Sequence, residues 1–418
     1  MRVLLTTYPE KTIFQPMVTL AWALRTAGHE VRVATQPGFE DVITGAGLTA
    51  VPVGRRGVGN WRRLTEAYPD LAEAERVGLP SPYDAAVSGV GTREEMAEGY
   101  ASILELWHKQ NNFPLVTGLV EFARAWQPDL VIWEPTTYAG AIAAKACGAA
   151  HGRLLWSIDV FGAARERFLS LGPGPGPDPL AGWIAGYGRK YGFAFDEELI
   201  TGQFTIDPVP DPIRLDTRLP TLPVQYVPYG GAASVPDWLK RRSDRPRIGL
   251  TLGTTATEHF GGYTVSVPDI LAALSDVDAE IVATLPDAEA AKVTEVPANA
   301  RIVPYVPLHA LVPTCAAVIN HAGPGTYLTT ARYGVPQLAV PWEFDEPELA
   351  RRATVHGSAL TLTGSEVSGK AVRAGVLRLL SEPSFTTRAR ELAARMAATP
   401  SPNDVIQALE DHVARRNA

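Results

Sequence analysis

The run Val318-Ile319-Asn320-His321-Ala322-Gly323-Pro324-Gly325-Thr326 carries the most chemically suggestive spacing in the chain: an apolar strand, an imidazole, then small residues entering the helical stretch Tyr327 to Tyr333. Small residues let a backbone come close to an anion, and a helix N-terminus points unpaired N–H groups at it. A diphosphate suits such a turn; an ordinary Gly-rich βα turn with His321 as a cap is the alternative. The turn after the first strand, Thr7 to Pro16, lacks GxGxxG, which weakens a dinucleotide oxidoreductase reading. Asp276-Val277-Asp278 is spelled like a DxD metal site, yet it precedes the strand Ala279 to Ala283 and so lies at the sheet edge away from ligands. It reads as a solvated turn. His309 and His259 read as surface or satisfied structural residues. Cys147 and Cys315 are far apart and form neither a disulfide framework nor a paired metal motif.

The elements that must hold this turn follow a βα rhythm. Met1 to Thr6 reads as a buried strand, Met17 to Thr26 as a helix ended by Gly28, and Glu30 to Ala34 as a second strand. Leu130 to Trp133 and Arg153 to Trp156 read as further strands around the helix Ala139 to Cys147, and helical spacing recurs over Glu94 to Trp107. Loops rich in Gly and Pro surround Gly78 to Tyr83, and substrate- or partner-contacting elements are expected between Trp61 and Phe122. Composition shifts to Pro, Gly and Arg around Pro208 to Pro246, and a new series follows: Arg247 to Thr251, Val267 to Leu274, Ala279 to Ala283 and Ala317 to Asn320. The expectation is α/β: an N-terminal domain over 1–212, a linker over 213–245, a C-terminal domain over 246–400, and a helix over 401–418 returning to the first domain. Of 418 residues 46% are hydrophobic, enough for two cores. A net charge of -7 argues against nucleic acid. The apolar start is too short for a signal peptide and no span of about 20 apolar residues occurs, so a cytoplasmic protein without membrane contact is expected.

HAGPGT followed by YGVPQLAVPWEFDE, with VPLHALVPTC upstream, TLGTT at Thr251 to Thr255 and QYVPYGG at Gln225 to Gly231, resembles the family-one GT-B glycosyltransferases. More narrowly it resembles the actinomycete enzymes that attach deoxysugars to macrolide and other polyketide aglycones. The similarity extends to MRVLLTT, AGHEVRVATQP, RAWQPDLVIWEP and RLLWSID, nearly the whole chain. The resemblance implies two Rossmann-like domains facing a cleft and an inverting, metal-independent transfer from a nucleotide-diphospho sugar, with no cofactor beyond that co-substrate. By the family pattern His321, Gly323, Gly325 and Thr326 meet the diphosphate, Thr254 and Thr255 approach it from another turn, Tyr305 with Val306 lies against the base, and Asp345 with Glu346 holds the sugar. Negative charge that grows on the leaving diphosphate can be stabilised by N–H groups and an imidazole.

Departures from the family pattern sharpen the expectations. Thr329 stands where the plant branch has a ribose-binding acid, which fits a thymidine nucleotide; a Thr on a core-facing helix is the plainer reading. Glu346 replaces the usual Gln, an acceptor-only carboxylate for an amide, which suits a cationic amino-deoxysugar or simply a solvated acidic loop. On the acceptor-side loop, Ile13, Phe14 and Gln15 align so that Ile13 occupies the position of the catalytic His, and Glu134 that of its Asp partner. Ile cannot take a proton. Glu134 beside Trp133 and Pro135 is one candidate base and Asp159 another; otherwise the acceptor activates itself, or the chain is a noncatalytic sugar-nucleotide-binding partner of an active homologue. A helix-start carboxylate is the structural alternative for Glu134. Tyr68, Tyr83 and Trp107 are candidate acceptor-pocket aromatics. A cytochrome-P450-like helper protein and a homodimer complete the partners that the resemblance admits.

Overall fold

Strands covered on both faces read as unbroken apolar runs, and Val3 to Leu5 and Leu130 to Trp133 are buried throughout. In the computed structural model, which describes residues 1–56, 67, 78–174, 176–241, 243–259 and 262–417, these runs are the centre of a parallel sheet. Its strands are β1 (Arg2–Thr6), β2 (Glu30–Thr35), β3 (Ala50–Pro52), β4 (Leu130–Trp133), β5 (Ala150–Leu154), β6 (Thr205–Asp207) and β7 (Thr221–Pro223), in the order β3-β2-β1-β4-β5-β6-β7. The register sets Leu5 beside Val33 on one side and Ile132 on the other. A second parallel sheet repeats the winding as β10-β9-β8-β11-β12-β13, built from β8 (Arg247–Thr251), β9 (Glu280–Thr284), β10 (Ala300–Val303), β11 (Ala317–Asn320), β12 (Gln337–Ala339) and β13 (Ala359–Thr361). Each sheet reverses its strand order once, between β1 and β4 and between β8 and β11. Ligand crevices open beyond the C-terminal ends of strands at such reversals.

Three elements differ from the sequence expectation. Helix α1 (Lys11–Thr26) starts well before Met17 and carries Pro16 within it, because Phe14, Met17, Val18 and Ala21 bury one face against the sheet. Arg93–Ile103, started by a Thr92–Glu95 capping box, runs through a π-helical turn, Leu104–His108, into helix α2 (Lys109–Trp126), so the polar region before β4 is one long helical path. Strand β7 lies inside the segment expected as linker and forms the edge of the first sheet. Helix α3 (Ala139–Cys147) lies where the spacing predicted it. Helix α4 (Pro324–Arg332) follows β11, helix α5 (Glu346–His356) follows β12, and the terminal helix α6 (Ile406–Asn417) places Ile406, Leu409 and Val413 in the apolar cluster of the first sheet. The ring of His412 meets that of Phe204 at 4.5 Å. Among the described residues no helix is long and apolar enough to cross a membrane.

Candidate active site

At the reversal of the second sheet, His321 stands between two glycine turns. A Cβ on Gly253, whose φ is +72°, would lie 2.6 Å from His321 Nε2, and one on Gly323 would overlap the same atom. Only glycine leaves room for the imidazole there. Asn320 fixes the turn beneath it: its Nδ2 donates to Gln337 Oε1 at 2.7 Å and its Oδ1 accepts from the Ala322 N–H at 2.8 Å. Ala322 is thereby held at φ 65°, a left-handed conformation that costs a non-glycine residue about 1 kcal/mol. Gly323 is the N-cap of α4 and Pro324 its first residue, where a missing N–H is harmless. Gly325 and Thr326 follow in the first turn, whose N–H groups a helix leaves without intrahelical partners. Thr254 is exposed at the end of β8 and Thr255 opens the short helix Thr255–His259 opposite.

The acidic pair differs from a solvated loop. Asp345 and Glu346 are both buried. Glu346 Oε2 accepts from the N–H groups of Trp342 and Glu343 at 3.2 and 3.1 Å, and its Oε1 lies 3.5 Å from His321 Nε2. Burial raises the Glu346 carboxyl well above its usual range and pushes the His321 imidazole down to about 4, so the imidazole is neutral near pH 7. Asp345 accepts from the Ser157 hydroxyl, and burial lifts it to about 6.

Several expected contacts are relocated. Val306 packs inward with Leu239, Val282 and Leu311, so its side chain is core; Tyr305 is 55% exposed, with its hydroxyl donating to the Gly230 carbonyl at 3.1 Å. Thr329 is saturated by its surroundings: its hydroxyl donates to the Gly325 carbonyl at 2.6 Å and lies 3.3 Å from the Tyr226 hydroxyl, itself 3.1 Å from the same carbonyl. His309 is exposed, and Asp276 of the DxD spelling pairs with Arg373. Among the described residues no group of His, Cys, Asp and Glu has the arrangement of a metal site.

On the first sheet, Ile13, Phe14 and Gln15 belong to α1 and not to a loop. Phe14 is buried with its ring edge-on to Phe39 at 5.9 Å, which removes it from the acceptor side; Ile13 and Gln15 are half-buried. Glu134 is fully buried at the end of β4. Its carboxylate accepts from the Thr136 N–H at 2.8 Å, the Thr136 hydroxyl at 2.7 Å, the Thr137 hydroxyl, and the Tyr8 N–H at 3.4 Å. Those bonds tie the β4 turn to the β1 turn across the reversal, and they engage both oxygens of this candidate base locally. Asp159, the other candidate base, is likewise bonded within its own surroundings. Arg153 grips it through Nη1 and Nη2 at 3.0 and 2.6 Å, and it caps helix Val160–Ser170 through the Gly162 N–H at 2.8 Å.

Tyr83 and Trp107, two of the aromatics expected to line an acceptor pocket, belong to an aromatic group where the two domains meet, whose other members no sequence spacing announces. Tyr83, Trp107, Trp156 and Phe161 of the first domain surround Phe344 of the second, with ring centroids 5.3 to 6.4 Å from it. The Tyr83 hydroxyl lies 2.5 Å from His108 Nε2. Tyr68 lies outside the described residues, as does the side chain of His259. Tyr226, Ser157 and Phe344 were all inside quoted motifs, yet their partners lie more than 90 residues away, and no local spacing announces such pairs.

Two doubly wound parallel-sheet domains, joined where the loops after β5 and β12 touch, with a helix N-terminus at the second reversal, form the GT-B architecture, and the relatives of this chain make it a glycosyltransferase. The chain belongs to the erythromycin biosynthesis protein CIII-like family, whose N-terminal domain matches residues 22–253 and whose C-terminal domain matches residues 268–412. It is 45% identical to the 10-deoxymethynolide desosaminyltransferase of Streptomyces venezuelae over 98% of this chain and 96% of the relative. It is 42% identical to the aklavinone 7-beta-L-rhodosaminyltransferase of Streptomyces galilaeus over 100% of this chain and 97% of that one. The crystal structure of glycosyltransferase VinC in complex with dTDP superposes with a TM-score of 0.87 at 37% identity, covering 99% of this chain and 100% of that one.

Proposed function

We propose that this glycosyltransferase moves a deoxysugar, preferentially an amino-deoxysugar, from a thymidine-diphospho donor to a polyketide aglycone, with inversion and without a metal. The observation that carries this reading is the His321 turn, an imidazole wedged between Gly253 and Gly323 at the N-terminus of α4, in a chain similar end to end to a protein crystallised with dTDP. Negative charge developing on the leaving diphosphate would meet the first-turn N–H groups of Gly325 and Thr326 together with His321, which can do the work of a metal. A diphosphate beside His321 would favour its protonated form and strengthen that contact as charge grows. Tyr305, exposed beside Gly230, offers a ring face to the base. The carboxyl groups of Asp345 and Glu346 supply acceptors for sugar hydroxyls or for an ammonium. The local bonds of Glu134 and Asp159 support the reading in which the acceptor activates itself; a P450-like helper protein and a homodimer belong to the same reading.

Calorimetry with thymidine and uridine diphosphate tests the donor site: the thymidine ligand should bind more tightly, and His321→Ala should weaken it at least tenfold. Equal binding by wild type and variant would remove the role of His321. A panel of TDP-desosamine, TDP-rhodosamine and neutral TDP-rhamnose against 10-deoxymethynolide and aklavinone, each with and without EDTA, tests the rest. Faster transfer of the amino sugars, insensitivity to EDTA and an inverted anomeric centre by NMR are expected. Preference for the neutral donor, a metal requirement or a retained centre would each overturn the corresponding part.

A further inference from the structure

We propose that Ser157 is a positioning residue for transfer: from the acceptor domain it orients the Asp345 carboxylate of the donor domain toward the donor sugar. This rests on the reading of Asp345 as a donor-sugar contact. Ser157 lies just after β5, and its hydroxyl donates to Asp345 Oδ2 across the junction between the domains; both residues are buried.

Each partner comes from a braced loop. Beside Ser157, the ring of Trp156 tilts against Phe344 at 6.4 Å, and Asp159 is fixed by Arg153. Beside Asp345, Phe344 is held at φ 41° with its ring among the first-domain aromatics, and Glu346 is tied to the Trp342 and Glu343 N–H groups. Glu343 also forms an isolated bridge with Gly78 of the first domain. The loop that carries the acidic pair is therefore docked on the acceptor domain.

The chemistry of the contact follows. A carboxylate offers about four acceptor positions. With one spent on Ser157, the Oδ1 edge is directed and remains able to accept from a sugar hydroxyl or an ammonium, while an isolated buried carboxylate would rotate and favour its protonated form. Because the donor of this bond sits on the other domain, Asp345 is oriented only when the two domains are together, the state in which the acceptor is also present. Orientation by a hydroxyl that does not itself touch the reacting atoms acts mainly on turnover and leaves diphosphate binding alone.

The test uses Ser157→Ala, Ser157→Thr, Asp345→Asn and the Ser157→Ala/Asp345→Asn double variant of the full chain. The readouts are thymidine diphosphate binding by calorimetry, thermal unfolding, and turnover with the donor and acceptor of the panel above that the wild type uses fastest. Ser157→Ala should lower kcat/KM about tenfold or more while the diphosphate Kd stays within about twofold. Ser157→Thr, which keeps the hydroxyl, should restore most of the turnover. In the Asp345→Asn background the serine change should add little, because the two act through one carboxylate. Full turnover by Ser157→Ala beside an impaired Asp345→Asn would overturn the role of Ser157 and leave Asp345 standing. Full turnover by Asp345→Asn would overturn the donor-sugar reading and this proposal together. Losses that multiply in the double variant, or an equal loss of diphosphate binding, would make Ser157 a structural residue. If the wild type turns over no donor of the panel, the transfer reading fails first.

Discussion

A buried carboxylate surrounded by donors holds structure together in proportion to what it would cost to leave those donors unpaired. Glu134 satisfies the N–H groups of Thr136 and Tyr8 and two threonine hydroxyls at the reversal of the first sheet. Glu134→Gln keeps the shape but turns an –NH2 toward groups that need an acceptor, and should cost about 1–3 kcal/mol of stability. Turnover per folded molecule should persist; thermal unfolding and single-turnover rates on one preparation decide it, and a loss of chemistry at full stability would restore the catalytic role. The pH dependence has a defined sign. Burial raises the Glu134 carboxyl in the folded state, so the stability this shift contributes is present at pH below the ordinary carboxyl range and is lost as pH rises through the raised value. The variant should lack that slope. The importance of this position was legible in WEP, but its role was not, because the donors that occupy it include a backbone N–H from another strand's turn. The partner of Asp159 is hidden for a related reason: Arg153, six residues before it in RLLWSID, reads as a strand residue until the fold turns its guanidinium back.

At the level of elements, the α/β order was readable because covered parallel strands are continuous apolar runs, and β4 and α3 lie where the pattern put them. Helix starts at proline were not. The helical spacing begins at Tyr327, yet Pro324 fits the first helical residue, where no N–H is needed, and Pro16 is carried because packing of Phe14 and Met17 on the sheet outweighs its lost hydrogen bond. The consequence for the site is concrete, since an α4 beginning at Pro324 puts Gly325 and Thr326 in the first turn, where the proposed diphosphate would meet their N–H groups. Gly323→Ala should test how tightly that turn is packed. Its methyl group would strike His321 Nε2, and Gly253 blocks the imidazole's retreat, so a loss of about 1–3 kcal/mol and at least tenfold weaker thymidine diphosphate binding are expected. Gly182→Ala, in the helix Pro179–Tyr191 with nothing within 4 Å of the added Cβ, is the control, and it should stabilise by up to about 1 kcal/mol without touching the nucleotide. Unchanged affinity in Gly323→Ala would show that the imidazole is not confined.

The whole molecule is two similar windings whose relation depends on a few contacts at the cleft. Gln225, in the crossing segment, donates its N–H to the Pro400 carbonyl at 2.7 Å, and Arg352 Nη1 reaches the Arg214 carbonyl at 2.5 Å, but these polar links flank an apolar centre. That centre is Phe344, 9% exposed and edge-on or tilted to Tyr83, Trp107, Trp156 and Phe161. The first domain contributes every ring of this group but one, and Phe344, on a loop with a left-handed φ, is the second domain's ring in it, beside Tyr327, Leu328 and Leu349 of the same apolar cluster. Aromatic truncation in a packed site costs about 3–5 kcal/mol, and here that cost falls on the coupling between domains more than on either core. Phe344→Ala should therefore separate one thermal transition into two and enlarge the radius of gyration in solution scattering. Thymidine diphosphate should still bind within about twofold of wild type, since His321, Gly325 and Thr326 are mounted entirely on the second sheet. Turnover should fall sharply, because Asp345 would leave Ser157 as the domains part. A single cooperative transition with unchanged scattering would mean that the remaining apolar cluster, the terminal helix and the polar links hold the cleft closed without Phe344, and diphosphate binding lost in step with the domain contact would place the nucleotide site between the domains instead of on one of them.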